Sequence, residues 1–432
     1  MNLVPVTTVA FGAALAAATP TFAGEYVAYR FAGGDDGYSP SGTLVADAAG
    51  NLFGTASYGG GTNCTFYQDS GCGIVFELSP PAKGHAEWTE TILYRFQGGT
   101  DGGFPGGPLL HGADGTLYGL ADTGGDLSVV CTASQSGCGT IFALAPPDPG
   151  GTTWTLTTLH AFTGGVDGGL PNGLIPGATA GSFVGTTVVD GDPTCRCGNV
   201  FSLTPAQGGF TLATLYAFKG FPKHRNVGDG SEPMGVVFDK AGNLVGATIW
   251  GGHYTGGEGG SAYGTVFTLS PPLGGNGPWT ESSLDRFGAN DSNPVSAPVI
   301  DRHGNIFGTT YNYAYQVVNG QAVLTYEFKT QADGASPYGG VTPGPNGALY
   351  GTTIGGGTSN NGVVYRLNRS GDTWSESVLY NFAAGTDGSA PVAPVTLVGR
   401  HLFGTTLRGG NQGCLIDGGV GCGVVFEVSL GR

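Results

Sequence analysis

Hydrophobic positions along the chain fall in short runs and not at helical spacing. Leu52-Phe53 and Ile74-Val75-Phe76 are apolar at consecutive positions, and Gly, Pro, Asn and Asp punctuate the chain between such runs. Runs of this length bounded by turn residues read as β-strands. Over the first stretch of chain they predict four strands, residues 42–46, 51–57, 73–78 and 88–96. The second and third are apolar on both faces, as in a small sheet sandwiched between two neighbours. The fourth, Trp88-Thr-Glu-Thr-Ile-Leu-Tyr-Arg-Phe96, mixes polar and aromatic residues as an outer edge strand does.

The pattern then repeats. Gly50-Asn-Leu-Phe-Gly-Thr-Ala returns at Gly115, Gly181, Gly242, Gly304, Gly347 and Gly399, at intervals of 65, 66, 61, 62, 43 and 52 residues. Seven units of four strands are the arithmetic of an all-β, seven-bladed β-propeller, a single domain over residues 24–432. The chain ends agree. Glu25-Tyr-Val-Ala-Tyr-Arg-Phe31 resembles a fourth strand ahead of any complete unit, and the last unit stops after a third strand, Gly423-Val-Val-Phe-Glu-Val-Ser429. The N-terminal strand is therefore expected to complete the C-terminal blade and cover its edge. The short 43-residue interval still holds two strands, 313–318 and 321–328, joined by an Asn319-Gly320 hairpin turn.

Composition adds compartment and excludes partners. Gly and Pro make up about a quarter of the 432 residues, yet aromatic residues are plentiful and charged ones scarce, so the chain folds. A net charge of -15 repels phosphate backbones and anionic headgroups, which argues against nucleic acid as a partner. Residues 1–23 carry no charge, hold an apolar run and end Thr21-Phe22-Ala23, the pattern of a secretory signal peptide. No later run offers 18 consecutive apolar residues, and the chain ends at Gly431-Arg432 directly after a strand-like run. The expectation is a released, extracytoplasmic, monomeric protein with no membrane span.

The phrases Gly-Asn-Leu-Phe/Tyr-Gly-Thr-Thr, Gly-Gly, Gly-Thr-Val-Phe-x-Leu and Trp-Thr-Glu-x-x-Leu-Tyr-x-Phe with a following Asp-Gly cover nearly all of residues 25–432. In combined spacing they resemble the GloVer (Gloeo/Verruco) tandem repeat of choice-of-anchor extracellular proteins. The resemblance implies export and repeat architecture, and carries no activity with it.

Candidate chemistry lies mostly where turns meet strands. Eight cysteines form four local pairs, Cys64 with Cys72, Cys131 with Cys138, Cys195 with Cys197, and Cys414 with Cys422, each between the second and third strand of its unit. In an exported chain such pairs read as disulfides stapling loops; Cys195-Arg-Cys197 is tight enough to be either a bridge or a free dithiol. Asp-Gly steps at Asp36, Asp101, Asp167, Asp229, Asp333 and Asp387 read as turns, with a rim of calcium ligands as the alternative; no cofactor is otherwise expected. Glu90, Glu281 and Glu376 recur in the fourth strand as scaffold, and the histidines share no column. What varies in a constant unit points better to function. Before the Gly-Gly closing the second strand, the units read Tyr58, Thr123, Val189, Trp250, Asn312, Gly355 and Arg408. Tyr58, Trp250, His253, Tyr254 and Arg408 are the candidate ligand contacts, and Pro222-Lys-His-Arg225 is the one basic cluster. The leading expectation is a binding module for an extracellular glycan or surface protein. A secreted carbohydrate-active hydrolase or lyase with its site on the loop-rich rim is the alternative, and a passive envelope component the third.

Overall fold

A computed structural model describes residues 25–61, 64–66, 69–82, 87–131, 137–220, 228–252, 254–255, 261–275, 277–288, 293–329, 332–416 and 419–431. The expected signal peptide, His85, the Pro222–Arg225 cluster and His253 lie outside them. Seven antiparallel four-strand sheets succeed one another along the chain. Blade 2 shows the plan: Gly103–His111, Leu117–Thr123, Thr140–Ala145 and Thr155–Ala161, in that order across the sheet. Blade 7 closes the ring. Thr396–Val398, His401–Thr406 and Val424–Ser429 are joined by Glu25–Arg30, with Glu25 opposite Val428 and Arg30 opposite Val424. The chain is a seven-bladed β-propeller whose first and last strands share a blade. Blade 5 carries the expected hairpin, Tyr313–Val318 and Gln321–Glu327, turned at Asn319 and Gly320, both at positive φ.

The repeated phrase records how a blade packs. The second-strand glycine of each unit lies beneath an aromatic ring from the third strand. At Gly119 a β-carbon would stand 2.5 Å from the tip of Phe142 and 2.7 Å from Leu109. Phe76 over Gly54, Phe201 over Gly185, Phe267 over Gly246, Tyr315 over Gly308, Tyr365 over Gly351 and Phe426 over Gly404 repeat the contact. These glycines do not need positive φ; they make room. The fourth strand carries a bulge opposite that ring in every blade, for example between Ile141 and Phe142.

Adjacent blades are joined by the same rings. The phenylalanine ending each fourth strand meets the third-strand ring of the next blade: Phe31 with Phe76, Phe96 with Phe142, Phe162 with Phe201, Phe218 with Phe267, Phe287 with Tyr315, Phe328 with Tyr365 and Phe382 with Phe426, at 4.8–5.4 Å between centroids. Rings at this separation and tilt add about 0.5–1.5 kcal/mol each beyond their burial. The Phe31–Phe76 pair makes the seam between the two chain ends equivalent to the other six.

The first strand departs from expectation. Blade 1 pairs Tyr38–Pro40 and then Val45–Ala46, so pairing begins before residue 42 and is interrupted there. At the interruption Gly42 abuts the Gly107 carbonyl of blade 2, leaving no room for a side chain.

Candidate functional site

Each unit carries a residue before proline early in its first strand or just ahead of it, and six of these seven residues hold left-handed backbone: Ser39, Phe104, Leu170, Glu232, Ser336 and Ala390, at φ 52–59°. Bulky residues there are strained, by about 1–2 kcal/mol. The cysteine loops supply the compensation. The N–H groups of Ser39, Phe104, Leu170 and Glu232 donate to the carbonyls of Cys422, Cys72, Cys138 and Cys197, each on the preceding blade, at 2.8–3.0 Å. Cysteine loops and first-strand starts therefore lie at one end of the propeller, and each such loop positions the neighbouring blade.

The cysteines themselves divide. Cys64–Cys72, Cys195–Cys197 and Cys414–Cys422 are disulfides. Cys131 and Cys138 are buried free thiols, which corrects the bridge expected between them. Asp190 of blade 3 reaches this pair and accepts from the Cys131 thiol at 3.4 Å, and burial, the adjoining Cys138 and then that carboxylate push the Cys131 thiol pKa upward.

The six Asp-Gly carboxylates are each engaged within their own turn. Asp36 accepts from the Tyr29 hydroxyl at 2.7 Å, Asp101 from Tyr94 at 3.0 Å, Asp229 from Tyr216 at 2.7 Å, Asp333 from Tyr326 at 2.9 Å and Asp387 from Tyr380 at 2.7 Å. Asp167 pairs with His160 at 3.2 Å. Each also takes a main-chain N–H of the turn, such as Ala383 on Asp387. These latches occupy six separate turns. Among the described residues no three His, Cys, Asp or Glu side chains gather as a metal site. Burial lifts the nearby fourth-strand glutamates: Glu90 is pushed up to about 7 and Glu376 to about 8, helped by Asp36 and Asp333 respectively.

The candidate contacts are spread over three blades. Tyr58 of blade 1 stacks on Tyr38 and meets the edge of Phe104 from blade 2, so it helps to fill that seam. Arg408 of blade 7 pairs its backbone with Ser389, and its side chain lies over Gly419. Trp250 of blade 4 is 40% exposed, and its indole N–H donates to Glu232 at 3.2 Å. Burial raises the Glu232 pKa against the pull of that hydrogen bond. Tyr254 opens a two-stranded hairpin, Tyr254–Thr255 with Ser261–Ala262, at the same end of blade 4.

One feature escaped the sequence reading. The residue preceding the variable column faces the axis, together with the residue after each first-strand proline. Ser57 bonds Ser41 at 3.0 Å, and Tyr311 packs its ring on Tyr338. In these two columns, Ser41, Gly106, Asn172, Met234, Val295, Tyr338 and Val392 with Ser57, Asp122, Val188, Ile249, Tyr311, Ile354 and Leu407, Asp122 is the sole charge. It stands in a cleft of about 300 Å³ where blades 1, 2 and 3 meet the channel, lined also by Ser41, Gly106, Leu120, Asn172 and Val188. The carboxylate is exposed to the cleft, and the walls around it raise its pKa by limiting its solvation.

Comparison with known proteins follows the architecture. Residues 19–257 and 311–431 match the sequence profile of the Gloeobacter/Verrucomicrobia repeat. No curated protein matches the sequence. Among solved structures, the extracellular domain of a one component system from B. thetaiotaomicron aligns with 95% of this chain at 9% identity and a TM-score of 0.49; the chain spans 42% of that protein's length. The PQQ-bound aldose sugar dehydrogenase of Streptomyces coelicolor aligns over 95% of this chain and 99% of its own, at 14% identity and a TM-score of 0.45. Pseudomonas fluorescens PhoX bound to vanadate aligns over 94% of each chain, at 10% identity and a TM-score of 0.45. Identity this low transfers no activity.

Proposed function

As the chain belongs to the Gloeobacter/Verrucomicrobia repeat family, whose scaffold here is a closed propeller, we propose that it acts by binding, as an exported module for an extracellular glycan or surface partner. The ligand meets the end that carries the cysteine loops. The observation that carries this reading is Trp250: a large aromatic face, 40% exposed, held by its own N–H on Glu232 beside the start of the blade 4 inner strand. An indole fixed in this way offers a stacking surface with little left to order on binding, which favours affinity. Export rests on the leader-like residues 1–23 together with the three disulfides, which suit an oxidising compartment.

The test is a glycan array probed with residues 24–432, with reducing-end release measured on the same panel. Binding without release is expected, and Trp250→Ala should weaken it about tenfold while leaving the denaturation midpoint unchanged. Release of reducing ends, or affinity indifferent to Trp250, would overturn the proposal.

A further inference from the structure

Asp122 places an exposed carboxylate in the channel cleft. The six equivalent positions are Ser57, Val188, Ile249, Tyr311, Ile354 and Leu407, so the scaffold has no need of a carboxylate there. Among the described residues Asp122 has neither a hydrogen-bond partner nor an ion pair, unlike the six turn aspartates. Gly106 leaves the space above it open: a β-carbon at that position would stand 3.9 and 4.0 Å from the two carboxylate oxygens. The carboxylate is exposed to the cleft, so it is open to a cationic group carried in by a ligand.

Resting on the binding function proposed above, we propose that this channel cleft is a subsite for a protonated amino sugar, with the ammonium group on Asp122. The charge of the site is single, so a divalent cation, which collects several oxygen ligands, does not suit it. A monovalent ammonium does, and it forms a charge-assisted hydrogen bond with the carboxylate. The body attached to the amine is set by the remaining lining. Leu120 and Val188 offer apolar walls, while Ser41 and Asn172 offer a hydroxyl and an amide for hydroxyl groups. At about 300 Å³ the cleft lies at the small end of ligand sites, a size suited to one hydrated sugar ring and not to an oligosaccharide. A lysine side chain would use the carboxylate but not the Asn172 amide oxygen or the further hydrogen bond that the Ser41 hydroxyl can make beside its bond to Ser57.

The pH dependence follows from the same residues. No other ionisable side chain lines the cleft, from blade 1, 2 or 3. Binding therefore strengthens as Asp122 ionises and weakens again once the amine loses its proton.

Calorimetric titration of residues 24–432 with glucosamine, N-acetylglucosamine, glucose and N-acetyl-lysine amide as probes tests the assignment. Glucosamine should bind at least tenfold more tightly than the acetylated and amine-free sugars, since acetylation removes the charge, and more tightly than the lysine analogue. Asp122→Asn should abolish that preference and flatten the pH profile. Gly106→Leu, which covers the carboxylate without altering it, should weaken glucosamine at least tenfold and serves as the second variant if Asp122→Asn folds poorly. Equal affinity for glucosamine and N-acetylglucosamine, preference for the lysine analogue, or indifference to both substitutions would overturn the subsite. Array binding that depends on Trp250 but not on Asp122 would refute this subsite and leave the broader function standing. An Asp122-dependent amine response without array binding would do the reverse.

Discussion

Gly119→Ala is the sharpest test of the blade packing, because two effects of opposite sign compete there. Replacing glycine by alanine at a backbone conformation that alanine accepts stabilises a protein by about 0.4–1 kcal/mol, by narrowing the unfolded ensemble. Gly119 is such a position, since its φ is not left-handed. The added methyl would nevertheless stand 2.5 Å from the Phe142 tip, 2.7 Å from Leu109 and 3.0 Å from a second Phe142 carbon. Neither neighbour can simply withdraw. Phe142 is fully buried and engaged edge-on by Phe96 at 5.3 Å, and Leu109 is buried. Overpacking of this kind costs about 1–3 kcal/mol, so the steric term wins and a net loss of about 1–2 kcal/mol is expected. Guanidinium unfolding of Gly119→Ala would measure it, with Gly165→Ala as control, where the nearest atom would lie 3.6 Å away. Phe142→Leu should cost less in the Gly119→Ala background than alone, with a coupling above about 0.5 kcal/mol. An unchanged midpoint for Gly119→Ala, or strict additivity of the pair, would refute the account of the repeated glycine.

Other consequences are open to direct measurement. Tyr380→Phe removes the 2.7 Å donor to Asp387 and should cost about 1 kcal/mol in the same unfolding assay, with a null effect showing the latch to be ornamental. Glu376, raised from 4.5 to about 8 chiefly by burial, stabilises the fold below its unfolded pKa and loses that contribution as pH rises through about 8. Wild type should therefore lose more stability than Glu376→Gln between pH 5 and 8.5, and parallel curves would contradict the burial argument. Denatured, unreduced protein should release two thiols per chain to a thiol reagent, at Cys131 and Cys138, and none at the three bridged pairs.

Ring architecture was legible because each of its determinants recurs locally. The Gly-Asn-Leu-Phe-Gly phrase counts the blades, and residues 25–31 show their kinship to a fourth strand in their own letters. The contacts behind the letters were not legible. That Gly54 waits for Phe76, or that Phe31 meets Phe76 across the seam, requires segments separated by tens of residues to be paired, and no local pattern supplies that pairing. The Tyr–Asp latch lies between these cases. Its seven-residue spacing at Tyr29/Asp36, Tyr94/Asp101, Tyr326/Asp333 and Tyr380/Asp387 was visible, but blade 3 hides it. There Tyr216 and Asp229 are thirteen apart and still bond at 2.7 Å, so the added residues leave the latch in register.

The contact of Asp190 with the Cys131 thiol was not legible for a related reason, since Asp190 comes from another blade and nothing near either cysteine announces it. For the site, the principle of seeking variation within a constant repeat was sound, but it was applied to one face of the second strand. Side chains alternate along a strand, so the column of Tyr58, Trp250 and Arg408 and the column one residue earlier face opposite ways. In the earlier column a single carboxylate stands among Ser, Val, Ile, Tyr, Ile and Leu, which is a stronger contrast than any in the column that was chosen. Residues of the chosen column are also drawn into structure, Tyr58 against Phe104 and Thr123 into the buried interior, because blade seams need filling wherever loops are short. Asp122 meets no such demand: it is exposed to the cleft and fills no seam. An ionisable group kept there, at one blade of seven, is therefore better explained by what enters the channel than by what the propeller requires to fold.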